Sequence, residues 1–246
     1  MSRYFEMFLR EGREHELFAR ASTSAASANE RCKGLDLAGK AQQEVIKLVQ
    51  RLFLLPGADA PHMVVFCGVA TGDGASWTCM RAAELLASQV EASVCVVDAD
   101  LRAPVLHDYF RKDNAEGLAD AIRQSRPVRS FTRRLSGSNL WLLTSGSRAG
   151  DPQAVLTSER LPSRLAELRA AFSYVLVDAP PLNIYADAPL LGKLADGVVL
   201  VVGANSTRRE VVRKAKESLD SAQVRLLGAV LNKRKFSIPE SLYRLL

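Results

Sequence analysis

Six short apolar runs alternate with helix-like stretches between residues 63 and 232, and this alternation limits the fold more than any other feature. Each run is hydrophobic at consecutive positions, which is typical of parallel strands that are covered on both faces. The runs read MVVFCGV, ASVCVVDA, NLWLLTSG, YVLVDAP, GVVLVVGA and LLGAVLN. Helices are predicted between most of them, over 75–90, 116–124, 158–171, 186–195 and 207–222. This order predicts an α/β fold with a doubly wound, mostly parallel sheet and helices on both faces.

The chain divides into a short tail and one domain. Its 246 residues and 48% hydrophobic content suit a single α/β domain of ordinary size. Residues 1–38 open with a short amphipathic stretch and continue as ASTSAASANERCKG, whose small, polar composition predicts a flexible linker. We assign residues 39–246 to the domain. Its first helix is predicted over AGKAQQEVIKLVQRLFLL, because apolar residues recur there at helical spacing, namely Val45, Leu48, Val49, Leu52 and Phe53.

Composition and the N-terminal sequence favour a cytoplasmic protein. No apolar run reaches the roughly 18 residues of a membrane span, and MSRYFEMFLREGREHELFAR lacks the apolar centre of a secretion signal. The net charge of +6 comes from the end of the chain, where ten Lys/Arg and four Asp/Glu follow residue 205. Either a solvated basic helix face or attraction to an anionic membrane or an acidic partner explains it. Nucleic acid is not expected, since no aromatic residues interleave the basic ones.

The segment after the first apolar run, TGDGAS at residues 71–76, has the outline of a phosphate-binding loop. Such a loop uses glycines so that backbone N–H groups converge on phosphates at a helix N-terminus. It also uses a Lys for the outer phosphates and a Ser or Thr hydroxyl for Mg²⁺. Gly72, Gly74 and Ser76 fit this pattern, but Ala75 stands where the Lys is expected. A tight strand-to-helix turn without any phosphate is the alternative.

Two acids and an arginine follow the second run, in VCVVDADLRAP. Asp98 and Asp100 alternate, so one side chain points toward the loop while the other faces away. Together with Arg102 they lie at the carboxyl end of a strand, where ligands bind in sheets of this kind, which indicates metal and phosphate chemistry. In the alternative interpretation Asp98 caps the next helix and Asp100 pairs with Arg102.

A third acid, Asp178, ends the fourth run in YVLVDAPP. An acid at this point of an apolar strand is the usual second-shell Mg²⁺ ligand of phosphate-loop proteins. The alternative is an ordinary helix N-cap. Each of the three signals is modest, and their order along the chain is the more specific observation.

With these motifs, residues 40–246 resemble the bacterial tyrosine kinases (BY-kinases) of capsule and exopolysaccharide synthesis. These kinases are P-loop NTPases related to the partitioning and division-site ATPases. VCVVDADLRAP resembles the second Walker box of the family, and VLVDAPP resembles the third. LADGVVLVVGANSTRREVVRKAKESL and LLGAVLNK are similar to its closing strands and helix. The combination of D-x-D-x-R with D-x-x-P carries most of the specificity.

The resemblance implies ATP or ADP and Mg²⁺ as cofactors. It implies catalytic roles for Asp98, as the acid near the attacking hydroxyl, and for Asp100 and Arg102. It implies a magnesium site of Ser76, Asp98 and Asp178, to which Asp100 contributes directly or through water. The nucleotide-binding residues that it implies are Gly72, Asp73, Gly74, Ala75, Ser76, Trp77 and Asn232. For Asn232 a backbone-bonding role at the strand end is equally open.

The sequence departs from the family at its loop, its first helix and its end. Ala75 replaces the loop Lys and Trp77 replaces a small hydroxyl residue. The family's first helix carries a Glu and two Arg at three-residue steps, used between subunits, whereas this chain has Glu44, Lys47 and Gln50, with an Arg one step late. In place of the tyrosine cluster that usually ends these kinases, a single tyrosine, at position 243, lies near the terminus.

We expect the missing lysine to affect nucleotide binding and phosphoryl transfer differently. Backbone N–H groups, the helix dipole and a metal site do not need it, whereas phosphoryl transfer depends on charge stabilisation. The leading hypothesis is therefore a nucleotide-binding regulator of polysaccharide assembly with weak or lost kinase activity. The alternatives are an active kinase with a substitute cation, such as Lys233, Arg234 or Lys235 of a neighbouring subunit, or a nucleotide-free interaction module on the same fold.

The resemblance also implies a partner. The family often works with an inner-membrane polysaccharide co-polymerase or adaptor protein, so we expect a cytoplasmic chain that reaches the inner membrane through such a partner. A homo-oligomer is compatible with the same resemblance.

Overall fold

The computed structural model describes residues 45–55, 60–135, 138–146, 151–204 and 206–233. The predicted tail at residues 1–38 and the tyrosine at position 243 lie outside these ranges. The domain boundary proposed at residue 39 therefore stays a prediction.

Within the described residues, seven strands form one sheet in the order β3-β4-β2-β5-β1-β6-β7. All neighbouring strands are parallel except β3 and β4, which are antiparallel. The strands are β1 (Met63–Gly68), β2 (Val94–Asp98), β3 (Arg133–Arg134), β4 (Leu140–Leu143), β5 (Tyr174–Ala179), β6 (Gly197–Gly203) and β7 (Leu226–Asn232). The six apolar runs are all strands, so the predicted mostly parallel sheet is confirmed.

Helices connect the strands and cover the sheet. The α-helices are α1 (Ala75–Gln89), α2 (Leu106–Tyr109), α3 (Leu118–Arg123), α4 (Pro152–Leu156), α5 (Leu161–Ala171), α6 (Asp187–Leu194) and α7 (Arg209–Ser221). A 3₁₀ turn at Val128–Phe131 precedes β3. The five helical stretches predicted after the first strand are present, and the short helices α2 and α4 are additions that the sequence pattern did not predict.

The strands are apolar at consecutive positions because two hydrophobic cores lie on opposite faces of the sheet. In β1, Met63 and Val65 belong to one core, and Val64 and Phe66 belong to the other. The second core is covered by α1, and we call it the α1-face core. Burial on both faces is the reason that parallel strands lack an alternating polar pattern.

The segment before β1 also packs on the α1-face core. Residues 45–49 are α-helical and Gln50–Leu54 continue as a π-helix. Val45, Val49 and Phe53 are fully buried in that core, as their predicted helical spacing requires. The part of this predicted helix before residue 45 lies outside the described residues. In the part of the chain that the structure describes, no helix is long and apolar enough to span a bilayer.

The strand order determines what meets at the carboxyl edge of the sheet. β1 lies at the centre, with β5 and then β2 on one side and with β6 and then β7 on the other. Asp98 of β2 and Asp178 of β5 are direct register partners. Gly203 of β6 and Asn232 of β7 are register partners on the opposite side of the loop that follows β1.

Candidate functional site at the carboxyl edge of the sheet

The loop between β1 and α1 has the backbone of a phosphate-binding turn. Gly72 and Gly74 have φ of 82° and 89°, a left-handed region in which glycine carries no Cβ penalty. At Gly74 space is restricted as well, because a Cβ there would lie 2.3 Å from Asn232 Nδ2. Gly74 is also the N-cap of α1, and no side chain of a described residue caps this end of the helix. The first N–H groups of α1 are therefore available to an anion.

Asp73 holds this loop in place. Its carboxyl is buried and accepts hydrogen bonds from the Ala70 N–H at 2.8 Å and from the Thr207 hydroxyl at 2.9 Å. Its backbone carbonyl accepts a third bond, of 2.8 Å, from Asn232 Nδ2. The carboxyl of Asp73 is therefore bonded within the protein, and its contacts hold the loop in place, while a role in nucleotide binding stays a prediction.

Asn232 was expected to contact a base or to bond backbone, and the structure shows the backbone contact. Its Nδ2 holds the Asp73 carbonyl, and its Oδ1 accepts the Lys233 N–H at 2.7 Å. Thr207 also holds the loop, through its hydrogen bond to Asp73, and the sequence did not reveal this contact. Its position just after the β6 strand end, at the ligand-binding edge of the sheet, was the available signal.

Asp98 and Asp178 lie side by side on the α1 face of the sheet. Both carboxyl oxygens of Asp178 and Oδ1 of Asp98 are buried and have no hydrogen-bond partner among the described residues. Oδ2 of Asp98 accepts the Val105 and Leu106 N–H groups at 3.1 and 3.0 Å, so this acid also caps α2. Buried polar atoms without partners are rare, and binding of an ion or ligand is one explanation for them.

The electrostatics agree with this geometry. Burial raises the pKa of Asp98 to about 7, the Asp100 charge adds to the rise, and the backbone N–H donors oppose it. Burial and, next, the Asp98 charge raise the pKa of Asp178 well above its usual range. Two neighbouring carboxylates without a cation resist ionisation, because each charge is desolvated and repelled by the other.

The start of α1 closes over these carboxylates. The Ser76 hydroxyl lies near enough to Asp178 to oppose the rise in its pKa, although no hydrogen bond of standard geometry joins them. One turn further along α1, burial raises the pKa of the Cys79 thiol, and the charges of Asp178 and Asp98 raise it further. Ser76, Asp98 and Asp178 are therefore gathered in one place, as the sequence predicted.

These residues fit a magnesium ion. The three carboxylate oxygens, which have no partner in the described part of the chain, and the Ser76 hydroxyl are hard oxygen donors of the kind Mg²⁺ prefers. Mg²⁺ commonly takes one or two carboxylates together with phosphates and water. No group of three or more His, Cys, Asp or Glu that could hold a metal occurs in the described ranges. A site completed by nucleotide phosphates is consistent with this small set of ligands.

The hydrogen bonds of Asp100 and Arg102 go to other residues, although the Asp100 charge is near enough to raise the pKa of both Asp98 and Asp178. Asp100 Oδ1 accepts the backbone N–H groups of Arg102 and Ala103 at 3.1 and 3.0 Å, which closes a turn after β2. The Arg102 guanidinium donates to Asp187 Oδ2 at 3.1 Å and to Gln153 Oε1 at 3.1 Å. Arg102 thus ties the loop after β2 to α4 and α6, and its catalytic role stays a prediction.

Residues 75 and 77, where the loop departs from the expected pattern, open α1. Ala75 and Trp77 are partly buried and pack against the α1-face core. The guanidinium of Arg81 lies 6.0 Å from the Trp77 ring, and it pairs with Glu84 on the same helix. Arg81 is thus engaged along α1 and does not replace the missing loop lysine.

Comparison with characterised sequences gives relatives of one kind. The chain is 34% identical over 174 residues to tyrosine-protein kinase YwqD of Bacillus subtilis, covering 71% of this chain and 73% of that one. It is 27% identical over 177 residues to tyrosine-protein kinase CpsD of Streptococcus agalactiae, covering 72% and 77%. No family model matches the chain.

Solved structures show the same likeness. The chimerical protein CapA2B2 superposes with a TM-score of 0.73 at 26% identity, covering 80% of this chain and 86% of that one. The VpsO kinase domain also gives a TM-score of 0.73 at 26% identity, covering 85% and 100%. A plasmid partition protein from Borrelia burgdorferi bound to AMPPNP, with a TM-score of 0.58 at 16% identity and coverage of 76% and 80%, shares the fold alone.

Proposed function

Because this chain belongs to the family of bacterial tyrosine kinases, we propose that it binds Mg-ATP or Mg-ADP and transfers phosphate to tyrosine weakly or not at all. We further propose that it regulates polysaccharide assembly or export through its nucleotide state. The observation that carries the proposal is a group of three buried carboxylate oxygens of Asp98 and Asp178 next to the start of α1. These oxygens have no hydrogen-bond partner among the described residues.

Binding rests on parts of the loop that do not need a lysine. The left-handed glycines open the turn, and the N–H groups at the start of α1 face an anion with the positive end of the helix dipole. Ser76 and Asp178 would hold Mg²⁺, which neutralises phosphate charge when it is bound. These contacts support nucleotide affinity even with Ala75 in the loop.

Asp98 is suited to accept a proton from an attacking tyrosine hydroxyl. The Val105 and Leu106 N–H groups fix one carboxyl oxygen, so the other, Oδ1, is held in a defined direction. A pKa raised to about 7 is near the operating pH, which favours a general base. These contacts support a role for Asp98 in proton removal beside the proposed metal ligands.

Charge stabilisation of the transferring phosphoryl group is the part that is missing. Loss of one cationic donor at developing charge costs about 3–4 kcal/mol of transition-state stabilisation, a factor of a few hundred in rate. Ala75 offers no donor beyond its backbone, and Arg81 is paired with Glu84. We therefore expect affinity for nucleotide together with slow transfer.

Titration of the full chain with Mg-ADP and Mg-ATP, followed by calorimetry, tests this function. Binding with a dissociation constant below the millimolar range is expected, and Asp178→Asn should weaken it when magnesium is present. In parallel, Mg-ADP at 100 times its dissociation constant should stabilise the fold by about 2.7 kcal/mol. Absence of binding at millimolar nucleotide would instead favour the interaction module without nucleotide.

The membrane partner and the location follow as a second part of the proposal. Family membership supports an inner-membrane co-polymerase or adaptor as partner and a cytoplasmic position beside it. Co-purification of the chain with membranes only when that partner is present would support this arrangement, whereas equal recovery with and without it would contradict it.

A further inference from the structure

Lys233 lies against the phosphate loop of its own chain. It follows β7, has a left-handed backbone with φ of 59°, and donates its N–H to Asn232 Oδ1 at 2.7 Å. Asn232 in turn holds the Asp73 carbonyl of the loop. A Cβ built on Gly74 would lie 3.8 Å from Lys233 Cε, so the lysine stem runs beside the N-cap of α1.

The backbone of Lys233 is held in place, whereas its side-chain charge is available to a ligand. The residue is exposed, and its ammonium forms no hydrogen bond or ion pair with any residue in the described ranges. The two contacts of Asn232 hold the backbone at this point, although a left-handed conformation is unfavourable for a residue other than glycine. The hydrogen bonds of Asn232 thus place the positively charged side chain of Lys233 beside the loop.

The strand order puts this charge opposite the carboxylates. Asp98 and Asp178 belong to β2 and β5, on one side of β1, whereas Lys233 follows β7, on the other side. The loop after β1 therefore has two acids that suit a metal on one flank. On the other flank it has an ammonium that has no partner among the described residues. A chain of phosphate groups lying across the start of α1 would contact both flanks of the loop.

We propose that Lys233 binds the phosphate chain of the nucleotide within the same subunit and supplies the positive charge that Ala75 lacks. This inference rests on the proposed nucleotide binding. It adds that the substitute cation serves affinity rather than transfer, because Lys233 lies on the flank away from Asp98. The neighbouring-subunit origin considered from the sequence is not required for this contact.

Calorimetric titration of Mg-ADP into matched variants tests the proposal. Lys233→Met should raise the dissociation constant about tenfold or more, as expected for loss of a charge-assisted contact, and Lys233→Arg should stay within about twofold of the parent chain. Lys193→Met is the matched control. It removes the same charge from an exposed lysine in the last turn of α6, at the opposite edge of the sheet, and should leave affinity unchanged.

Competition by inorganic pyrophosphate then identifies what Lys233 contacts. If the ammonium binds phosphate, Lys233→Met weakens pyrophosphate competition by about the same factor as ADP binding. Loss of ADP affinity with unchanged pyrophosphate competition would move the contact to the nucleoside and overturn the assignment.

The outcomes separate this inference from the function on which it rests. If the parent chain binds Mg-ADP and Lys233→Met binds it equally well, the role of Lys233 is refuted while the nucleotide site stands. If the parent chain itself fails to bind, both fail together. Thermal melts of the variants exclude misfolding as the cause of any loss, and Lys233→Arg provides a second folded form with the charge retained.

Discussion

Two buried aspartates of the site are used in opposite ways. Asp73 has both carboxyl oxygens satisfied by Ala70 and Thr207, whereas Asp178 has neither oxygen satisfied by a described residue. A carboxylate that is fully bonded stabilises a loop, and one without partners costs folding free energy until an ion or ligand arrives. At the scale of the residue, the site therefore combines one fully bonded aspartate, which stabilises the loop, with aspartates whose oxygens are available to a metal ion.

Ala75→Lys is the substitution expected to restore phosphoryl transfer. Ala75 is the first residue of α1, so a lysine there adds positive charge at the end of the loop where the proposed phosphate chain would lie. Phosphate transfer from labelled ATP to the chain or to a tyrosine-containing polymer should rise roughly a hundredfold. Ala75→Gln, of similar length without charge, is the control. Equal gains from both variants, or none from Ala75→Lys, would show that the missing lysine does not limit transfer.

At the scale of the element, the loop between β1 and α1 depends on two glycines with different surroundings. Both have a left-handed backbone, but a Cβ at Gly72 meets nothing within 4 Å, whereas one at Gly74 meets Asn232 Nδ2 at 2.3 Å. The first glycine therefore supplies conformation only. The second supplies conformation and the space in which Asn232 reaches the loop.

Gly74→Ala should accordingly destabilise the protein more than Gly72→Ala. Left-handed strain costs about 1–2 kcal/mol at either position, and displacement of Asn232 from the Asp73 carbonyl adds about 1 kcal/mol or more at Gly74. Urea unfolding of the two variants measures the difference, with Gly72→Ala as the matched control. Equal losses would mean that Asn232 moves aside without cost and that its hydrogen bond to the Asp73 carbonyl is weaker than its geometry indicates.

The sequence predicted the long elements and missed the short ones for physical reasons. Six apolar runs became six strands because burial on both faces leaves a continuous hydrophobic signal. β3 contains only Arg133 and Arg134, which pair antiparallel with Trp141 and Leu142 at the end of the sheet, and two arginines carry no such signal.

The same reasoning explains which parts of the site could be predicted. Asp98, Ser76 and Asp178 were expected together because strand ends and the loop meet at one edge of a parallel sheet. The Thr207 contact with Asp73 joins residues 134 positions apart, and no local pattern encodes it. The approach of Lys233 to Gly74 within one subunit depends likewise on the position of β7 beside β6.

At the scale of the whole molecule, the buried acids link stability to pH. The pKa of Asp98 is raised to about 7 and that of Asp178 is raised well above its usual range, so the folded state binds more protons than the unfolded state above pH 4. Under that condition the free energy of unfolding falls as pH rises. The stabilising contribution of these protonated acids is complete below about pH 4, the unfolded pKa, and for Asp98 it is lost as pH rises through about 7.

Urea unfolding between pH 5 and pH 8, without nucleotide or metal, should therefore show a decline in stability that Asp178→Asn and Asp98→Asn reduce. Glu91→Gln, which neutralises an exposed carboxylate, should leave the decline unchanged. Mg-ADP should also reduce the decline, since a bound cation favours the ionised acids. A pH profile identical in parent chain and both aspartate variants would show that these carboxyls ionise normally in the folded protein.

The hydrogen bond between Thr207 and Asp73 gives the loop and the basic helix α7 a common anchor, because Thr207 lies two residues before that helix begins. Binding at the loop that shifts Asp73 would therefore act on the residues just before α7, and a protein bound to α7 would act on the loop through the same hydrogen bond. If the two binding events are coupled in this way, each changes the affinity of the other by the same factor. The Thr207 hydroxyl is thus a contact through which a ligand at the centre of the sheet would influence binding of another molecule on an outer surface.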